Sequence, residues 1–137
     1  MQKIELFTDS SVNPKAKVGF AAFLVKNDKD TILESLNKSI KIKKFENTSS
    51  TRIELQSLLW AINEIEKEKN DLSNILIEVY TDCQNIVNLK NRKSKLVENN
   101  YQSGTGKLLK NHDLYKDFFE KESRLNLNII KVKGHKK

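Results

Sequence analysis

Two aspartates stand in nearly duplicated contexts. Phe7-Thr8-Asp9-Ser10-Ser11 and Tyr80-Thr81-Asp82-Cys83-Gln84 each read aromatic, Thr, Asp, then a small residue. A third acid, Glu54, opens an amphipathic segment in which Leu58 lies at i+4 and Ala61 at i+7, so it belongs to the apolar stripe and not to the solvated face. An ionised carboxylate on a buried stripe costs on the order of several kcal/mol unless it is paired or metal-bound. Taken singly, an Asp after a strand is a turn former and a Glu at a helix start favours the macrodipole. As a trio with a repeated context, they are instead a candidate site. Three acids at one place repel one another, and a hard divalent cation resolves the repulsion, because Mg²⁺ prefers carboxylate oxygens. Cys83 is the single cysteine and His112 and His135 the only histidines, which excludes a disulfide framework and a multi-cysteine zinc site.

The elements that must position these acids follow from the periodicity. Lys3 to Thr8 is a run of strand formers, and the turn chemistry of Asp9-Ser10-Ser11 and Asn13-Pro14 predicts that this first strand stops near Asp9. Val18 to Val25 is an apolar run. Thr31 to Ile42 follows with Leu36, Ile40 and Ile42 at even spacing, which completes a three-stranded meander. From Arg52 to Lys69 the period changes: Leu55, Leu58, Leu59, Ile62 and Ile65 recur at three and four, and Thr48-Ser49-Ser50-Thr51 supplies N-cap candidates. Ile75 to Thr81 is a nearly continuous apolar strand suited to burial on both faces, reached from the first strand through the helix and so parallel to it. Residues 88–111 are polar, basic and poorly periodic. Leu114, Phe118 and Phe119 then mark a second helix, capped by Asn111 or Asp113, and Leu127 to Val132 a last strand. Three strands, helix, strand, helix, strand make an α/β layer fold with a mixed sheet. Parallel neighbours carry Asp9 and Asp82 to the same sheet end, where open α/β sheets place their sites.

Composition narrows the partner. The chain of 137 residues has a net charge of +7, which points to an anionic partner such as nucleic acid or an acidic membrane surface. The charge is uneven: residues 1–89 carry 12 basic and 13 acidic groups, and residues 90–137 carry 13 and 5. A hydrophobic content of 37% excludes disorder throughout and supports one domain over residues 1–137. The longest apolar run, Val18 to Val25, is far below the ~20 residues of a membrane span, and Met1 to Glu5 lacks the form of a signal peptide. The expectation is a cytoplasmic, monomeric protein.

Four segments in order, Phe7-Thr8-Asp9-Ser10-Ser11, Ser50-Thr51-Arg52-Ile53-Glu54-Leu55, Tyr80-Thr81-Asp82-Cys83-Gln84 and Lys131-Val132-Lys133-Gly134-His135, resemble signature segments of type 1 ribonuclease H. The order of elements agrees along essentially the whole chain. The resemblance implies a three-layer ribonuclease H-like fold with a mixed five-stranded sheet (βββαβαβ), and endonucleolytic cleavage of the RNA strand of an RNA–DNA hybrid duplex. It implies Asp9, Glu54 and Asp82 as ligands of catalytic Mg²⁺, replaceable by Mn²⁺, in two-metal hydrolysis. His135 matches the family histidine that assists proton transfer or product release. The chain departs from the pattern in Ser10, where the family has Gly, and in the fourth acid, an aspartate beyond the Gly-His that has no counterpart up to Lys137. The expectation is either a three-acid site or a longer chain that supplies the fourth.

By the same resemblance Asn13, Ser50, Thr51 and Gln84 meet sugars and base edges, and Arg52 positions a phosphate or Glu54. Lys90, Arg92, Lys93, Lys95, Lys107 and Lys110, with only Glu98 among them, form a basic protrusion for the DNA strand. Other features are plainer. Ser103-Gly104-Thr105-Gly106-Lys107 lacks the spacing of a phosphate loop and reads as a flexible loop, Trp60 and Cys83 as packing residues, and His112 as an exposed helix-entry residue. Two other readings stay open: a nucleic-acid-binding module of the same fold with weak or lost catalysis, and a same-fold nuclease acting on DNA. Strand order and Gly134-His135 favour the hybrid nuclease.

Overall fold

The computed structural model describes residues 2–27, 40–69 and 71–133. Strands β1 (Gln2–Asn13), β2 (Val18–Asn27) and β3 (Ile40–Glu46) form an antiparallel meander. Helix α1 (Ser50–Glu68) crosses to β4 (Ile75–Thr81), and α2 (Gln84–Val87), α3 (Leu89–Glu98), α4 (His112–Arg124) and β5 (Asn126–Lys131) follow. The sheet order is β3-β2-β1-β4-β5, with β4 parallel to both β1 and β5. This is the expected mixed five-stranded sheet with flanking helices.

Three local expectations change. The first strand does not stop near Asp9 but runs to Asn13, because β2 keeps pairing with it from Asp9↔Ala22 to Asn13↔Val18. Asn13 then builds the turn: its Oδ1 accepts the N–H groups of Lys15 (3.1 Å) and Ala16 (3.2 Å), and Lys17 takes a left-handed φ of 55°. The third strand ends at Glu46 instead of Ile42, and the stretch 31–39, which includes Leu36, lies outside the described residues. Within 88–111, where no periodic element was expected, α3 is a helix of ten residues.

The core lies between the sheet and the helices. Ile4 and Leu6 of β1, Phe23 and Val25 of β2, and Ile75, Ile77 and Val79 of β4 meet Leu55, Leu58, Leu59, Ile62 and Ile65 of α1. Ile86, Leu89, Leu96, Phe118 and Phe119 bring α2, α3 and α4 into the same cluster. Burial of this apolar surface, worth roughly 25 cal/mol per Å², is what holds the layers together. Gly19 of β2 is required by the approach of α1: a Cβ there would lie 2.4 Å from Ile53 Cδ1 and 2.6 Å from the Ser11 carbonyl oxygen.

β4 was expected to be buried on both faces, yet it alternates, with Ile75, Ile77, Val79 and Thr81 buried and Leu76, Glu78 and Tyr80 half-buried. On the second face Phe7 and Tyr80 stack at 4.8 Å, Tyr80 donates its hydroxyl to Glu5 (3.1 Å), and Lys3 pairs with Glu78 (3.4 Å). Phe20, Ile40 and Ile42 are exposed. Among the described residues no third-layer helix covers this face, and no helix is long and apolar enough to cross a membrane.

Candidate active site

Asp9 and Asp82 reach the same sheet end by different routes. The β1–β4 ladder closes at Phe7↔Tyr80, so Asp9 lies two residues past it on the continuing β1, and Asp82 is the first residue after β4. Both are exposed. Asp9 Oδ1 accepts the Ser10 N–H at 2.9 Å, which gives the carboxylate a fixed orientation. Glu54 arrives from the face opposite, in the second turn of α1. That helix starts where the hydroxyl residues place it: Ser49 is the N-cap, its Oγ accepting the Arg52 N–H at 3.2 Å. Thr8, Asp9, Ser10, Glu54, Ser57, Thr81, Asp82 and Cys83 line one cleft of about 90 Å³.

The three acids therefore share one polar cleft, although no group of three or more His, Cys, Asp or Glu side chains among the described residues is spaced to hold a metal ion as it stands. Glu54 is held by a neighbour: Cys83 Sγ donates to Glu54 Oε2 at 2.6 Å. Burial, and this bond, push the Cys83 thiol up to about 11, so it stays a neutral donor at physiological pH. Cys83 is buried as its packing role required, but its contact with Glu54 has no local signal in sequence.

The rim residues separate into groups. The Arg52 guanidinium bonds Asp113 and not Glu54: it holds Asp113 through two bonds of 3.1 and 2.8 Å and reaches Asn111 Oδ1 at 3.4 Å, tying the start of α1 to the start of α4. The hydrogen bond from Arg52 holds the Asp113 carboxyl below the usual carboxylate range. Ser50, Arg52 and Lys110 line a second cleft of about 440 Å³ together with Lys17 and Asn111, two residues to which the sequence assigned no contact of this kind. Thr51 is exposed beside them, its Oγ1 3.4 Å from Ser49 Oγ. Asn13 sits in the hairpin turn, with its carbonyl oxygen already engaged there.

Gln84 opens α2 beside Asp82. Its Nε2 donates to Asn88 Oδ1 at 2.9 Å and its Oε1 accepts from Lys131 at the end of β5, a residue named in the fourth signature segment but given no contact of its own. In α3, Lys90, Arg92 and Lys95 are exposed, while Arg92 also lies over the Tyr115 ring (5.5 Å) and Lys93 over Phe119 (5.6 Å). These contacts dock the basic helix on α4. Lys107 lies in a closed turn, Ser103 N–H bonding the Lys107 carbonyl at 2.7 Å and Gly106 taking a φ of 81°. His112 is half-buried, with Nδ1 buried and unbonded, and not the exposed entry residue expected. His135 lies outside the described residues.

Known proteins share the fold. A family model described as RNase H matches residues 1–137. Ribonuclease H of Haemophilus influenzae is 32% identical over 142 residues, covering 98% of this chain and 80% of the relative. Ribonuclease H of Caldicellulosiruptor saccharolyticus is 27% identical over 139 residues, covering 98% and 86%. Among solved structures, LC9-RNase H1, described as a type 1 RNase H with the type 2 active-site motif, shares the fold with a TM-score of 0.74 at 18% identity over 98% of this chain, which spans 64% of that one. LC11-RNase H1 gives 0.69 at 16% identity, covering 97% and 86%. The family model spans the same stretch that folds into this sheet and brings its acids to one end, and the chain belongs to the type 1 ribonuclease H family, endonucleases for the RNA strand of RNA–DNA hybrids.

Proposed function

We propose that this chain cuts the RNA strand with Asp9, Glu54 and Asp82 as its catalytic carboxylates, residues 1–137 acting as one domain. The observation that carries the reading is the single polar cleft that these three acids line from β1, α1 and the end of β4. The donor set is oxygen-rich and hard, which fits Mg²⁺ with Mn²⁺ as a substitute. The chemistry such cations supply when bound is two-metal hydrolysis: a water made more acidic for in-line attack, and charge offset on the leaving 3′ oxygen.

The chain's own residues do the positioning. Cys83 holds one oxygen of Glu54, and the Ser10 N–H holds one oxygen of Asp9. Ser50, Thr51 and Gln84 on the rim meet the sugars, where 2′-hydroxyls distinguish RNA from DNA. Asn13 contributes through its amide nitrogen, its oxygen being committed to the turn. Arg52 acts by fixing the first turn of α1 against α4, and so the place of Glu54. Lys90, Arg92, Lys93, Lys95, Lys107 and Lys110 hold phosphates of the DNA strand, and His135 moves a proton at the leaving group. A solitary, buried Cys83 suits the cytoplasm.

The test is a cleavage assay on RNA–DNA hybrid, double-stranded RNA and double-stranded DNA. Cleavage of only the RNA strand of the hybrid, lost in Asp9→Asn and Asp82→Asn, is the expected result. Full activity in EDTA refutes the assignment.

A further inference from the structure

Lys131 is a cation at the site end of the sheet that has no carboxylate partner among the described residues. It ends β5 in register with Thr81, and the Val132 N–H extends that ladder to the Thr81 carbonyl at 2.9 Å, so Lys131 stands one strand over from Asp82 at the site end of the sheet. It is exposed, and its ammonium donates to Gln84 Oε1. None of the ion pairs among the described residues involves it, whereas Arg52, Lys121 and Arg124 all have carboxylate partners. A neutral amide positions an ammonium without cancelling its charge. An ammonium can only donate, so it also dictates which end of the Gln84 amide faces β5 and turns the NH₂ group toward Asn88, where Nε2 donates at 2.9 Å.

The surroundings select the ligand. Two donors of the ammonium remain for something anionic, at the same sheet end as a cleft whose own side chains are carboxylates, hydroxyls and the Cys83 thiol. A carboxylate of the protein would have closed an ion pair, and an anion carried by the substrate leaves the cation open until it arrives. We propose that Lys131 is a substrate-binding residue: it pins the Gln84 amide and takes a backbone phosphate of the strand being cut, beside Asp82. The inference rests on the hybrid-nuclease reading, and it adds a phosphate contact outside the basic run at 90–110.

The test is hybrid binding by the Asp9→Asn protein in EDTA as a function of salt, with and without Lys131→Gln or Lys131→Arg. Losing one phosphate contact reduces the slope of log K against log[salt] by about 0.7–0.9 and, for equal affinities at 1 M, weakens binding about sixfold at 0.1 M salt. The expected result is that loss for Lys131→Gln and an unchanged slope for Lys131→Arg. In the otherwise native enzyme the effect of Lys131→Gln then appears in KM. Equal slopes for the Gln and Lys forms overturn the proposal, as does a loss confined to kcat with hybrid affinity intact. Failure of the Asp9→Asn protein to prefer hybrid over double-stranded DNA is a separate result, and it strikes the hybrid reading itself.

Discussion

Gly19→Ala is the sharpest probe of how the fold places Glu54. The added methyl meets Ile53 Cδ1 at 2.4 Å and the Ser11 carbonyl oxygen at 2.6 Å, both inside any tolerable contact. The first obstacle is the end of a side chain and can swing aside, but the second is backbone of the neighbouring strand and cannot. Overpacking of this kind costs about 1–3 kcal/mol, and the backbone contact puts this case in the upper half of that range. With a urea m-value of about 2 kcal/mol/M, the unfolding midpoint should fall by about 1 M. Ile53 is covalently next to Glu54, so whatever part of the clash the Ile53 side chain does not absorb shifts Glu54, the carboxylate proposed above as catalytic, and a displacement of ~1 Å there is worth about 100-fold in rate. Urea melts followed by circular dichroism, and hybrid cleavage at a temperature where both proteins are folded, measure the two effects. Combining Gly19→Ala with Ile53→Val removes Cδ1 and should give a favourable coupling of about 0.5–1 kcal/mol, leaving the Ser11 contact unrelieved. A midpoint within ~0.2 M of the parent together with unchanged cleavage, the m-value unaltered, refutes the claim that α1 needs this gap.

Further outcomes follow from the same geometry. Asp82→Asn should lower hybrid cleavage by at least about 100-fold while leaving the melting temperature close to the parent's, and chelation by EDTA should abolish cleavage reversibly on return of Mg²⁺. The Asp113 carboxyl, held low by Arg52, stabilises the fold above the ordinary carboxylate pKa, and this contribution is lost as pH falls through its depressed folded value; Asp113→Asn should therefore flatten the acid limb of a plot of urea midpoint against pH. Glu66 partners both Lys121 (2.8 Å) and Arg124 (2.7 Å), with the Lys121 side chain only 11% exposed, so Glu66→Ala should cost about 2–3 kcal/mol by stranding an ammonium, and Lys121→Met clearly less in the same denaturation assay.

Much of this architecture was legible because local and tertiary signals agreed. Ile75–Thr81 was bounded as it stands, and the pattern of Leu55, Leu58, Leu59, Ile62 and Ile65 named both the helix and its buried face. Asp9 and Asp82 were placed at one sheet end by their matching contexts and the parallel crossover alone. Where partners decide, the reading failed. Asp9-Ser10-Ser11 has the chemistry of a turn, yet β2 supplies the hydrogen bonds that keep it extended. α3 buries only Leu89 and Leu96, seven residues apart, and leans on α4 through Arg92 and Lys93 over aromatic rings, which leaves no helical period to find. The bond from Cys83 to Glu54 and the Arg52–Asp113 pair join residues far apart in the chain, and nothing in either neighbourhood announces them.

The sheet order has a consequence for the making of the protein. β1 sits at the centre of the sheet although it is synthesised first, with β2 on one side and β4 on the other. The meander of β1, β2 and β3 can pair as soon as it emerges, since those partners are sequence neighbours. Asp9 is then on display with neither Glu54 nor Asp82 beside it. At about 5–20 residues per second of translation, several seconds separate the emergence of the two aspartates, and the helix must cross over before β4 can dock. A ribosome carrying the unfinished chain thus presents nucleic acid with an incomplete set of acids, and the cleft is assembled only after α1 has crossed over and β4 has docked beside β1.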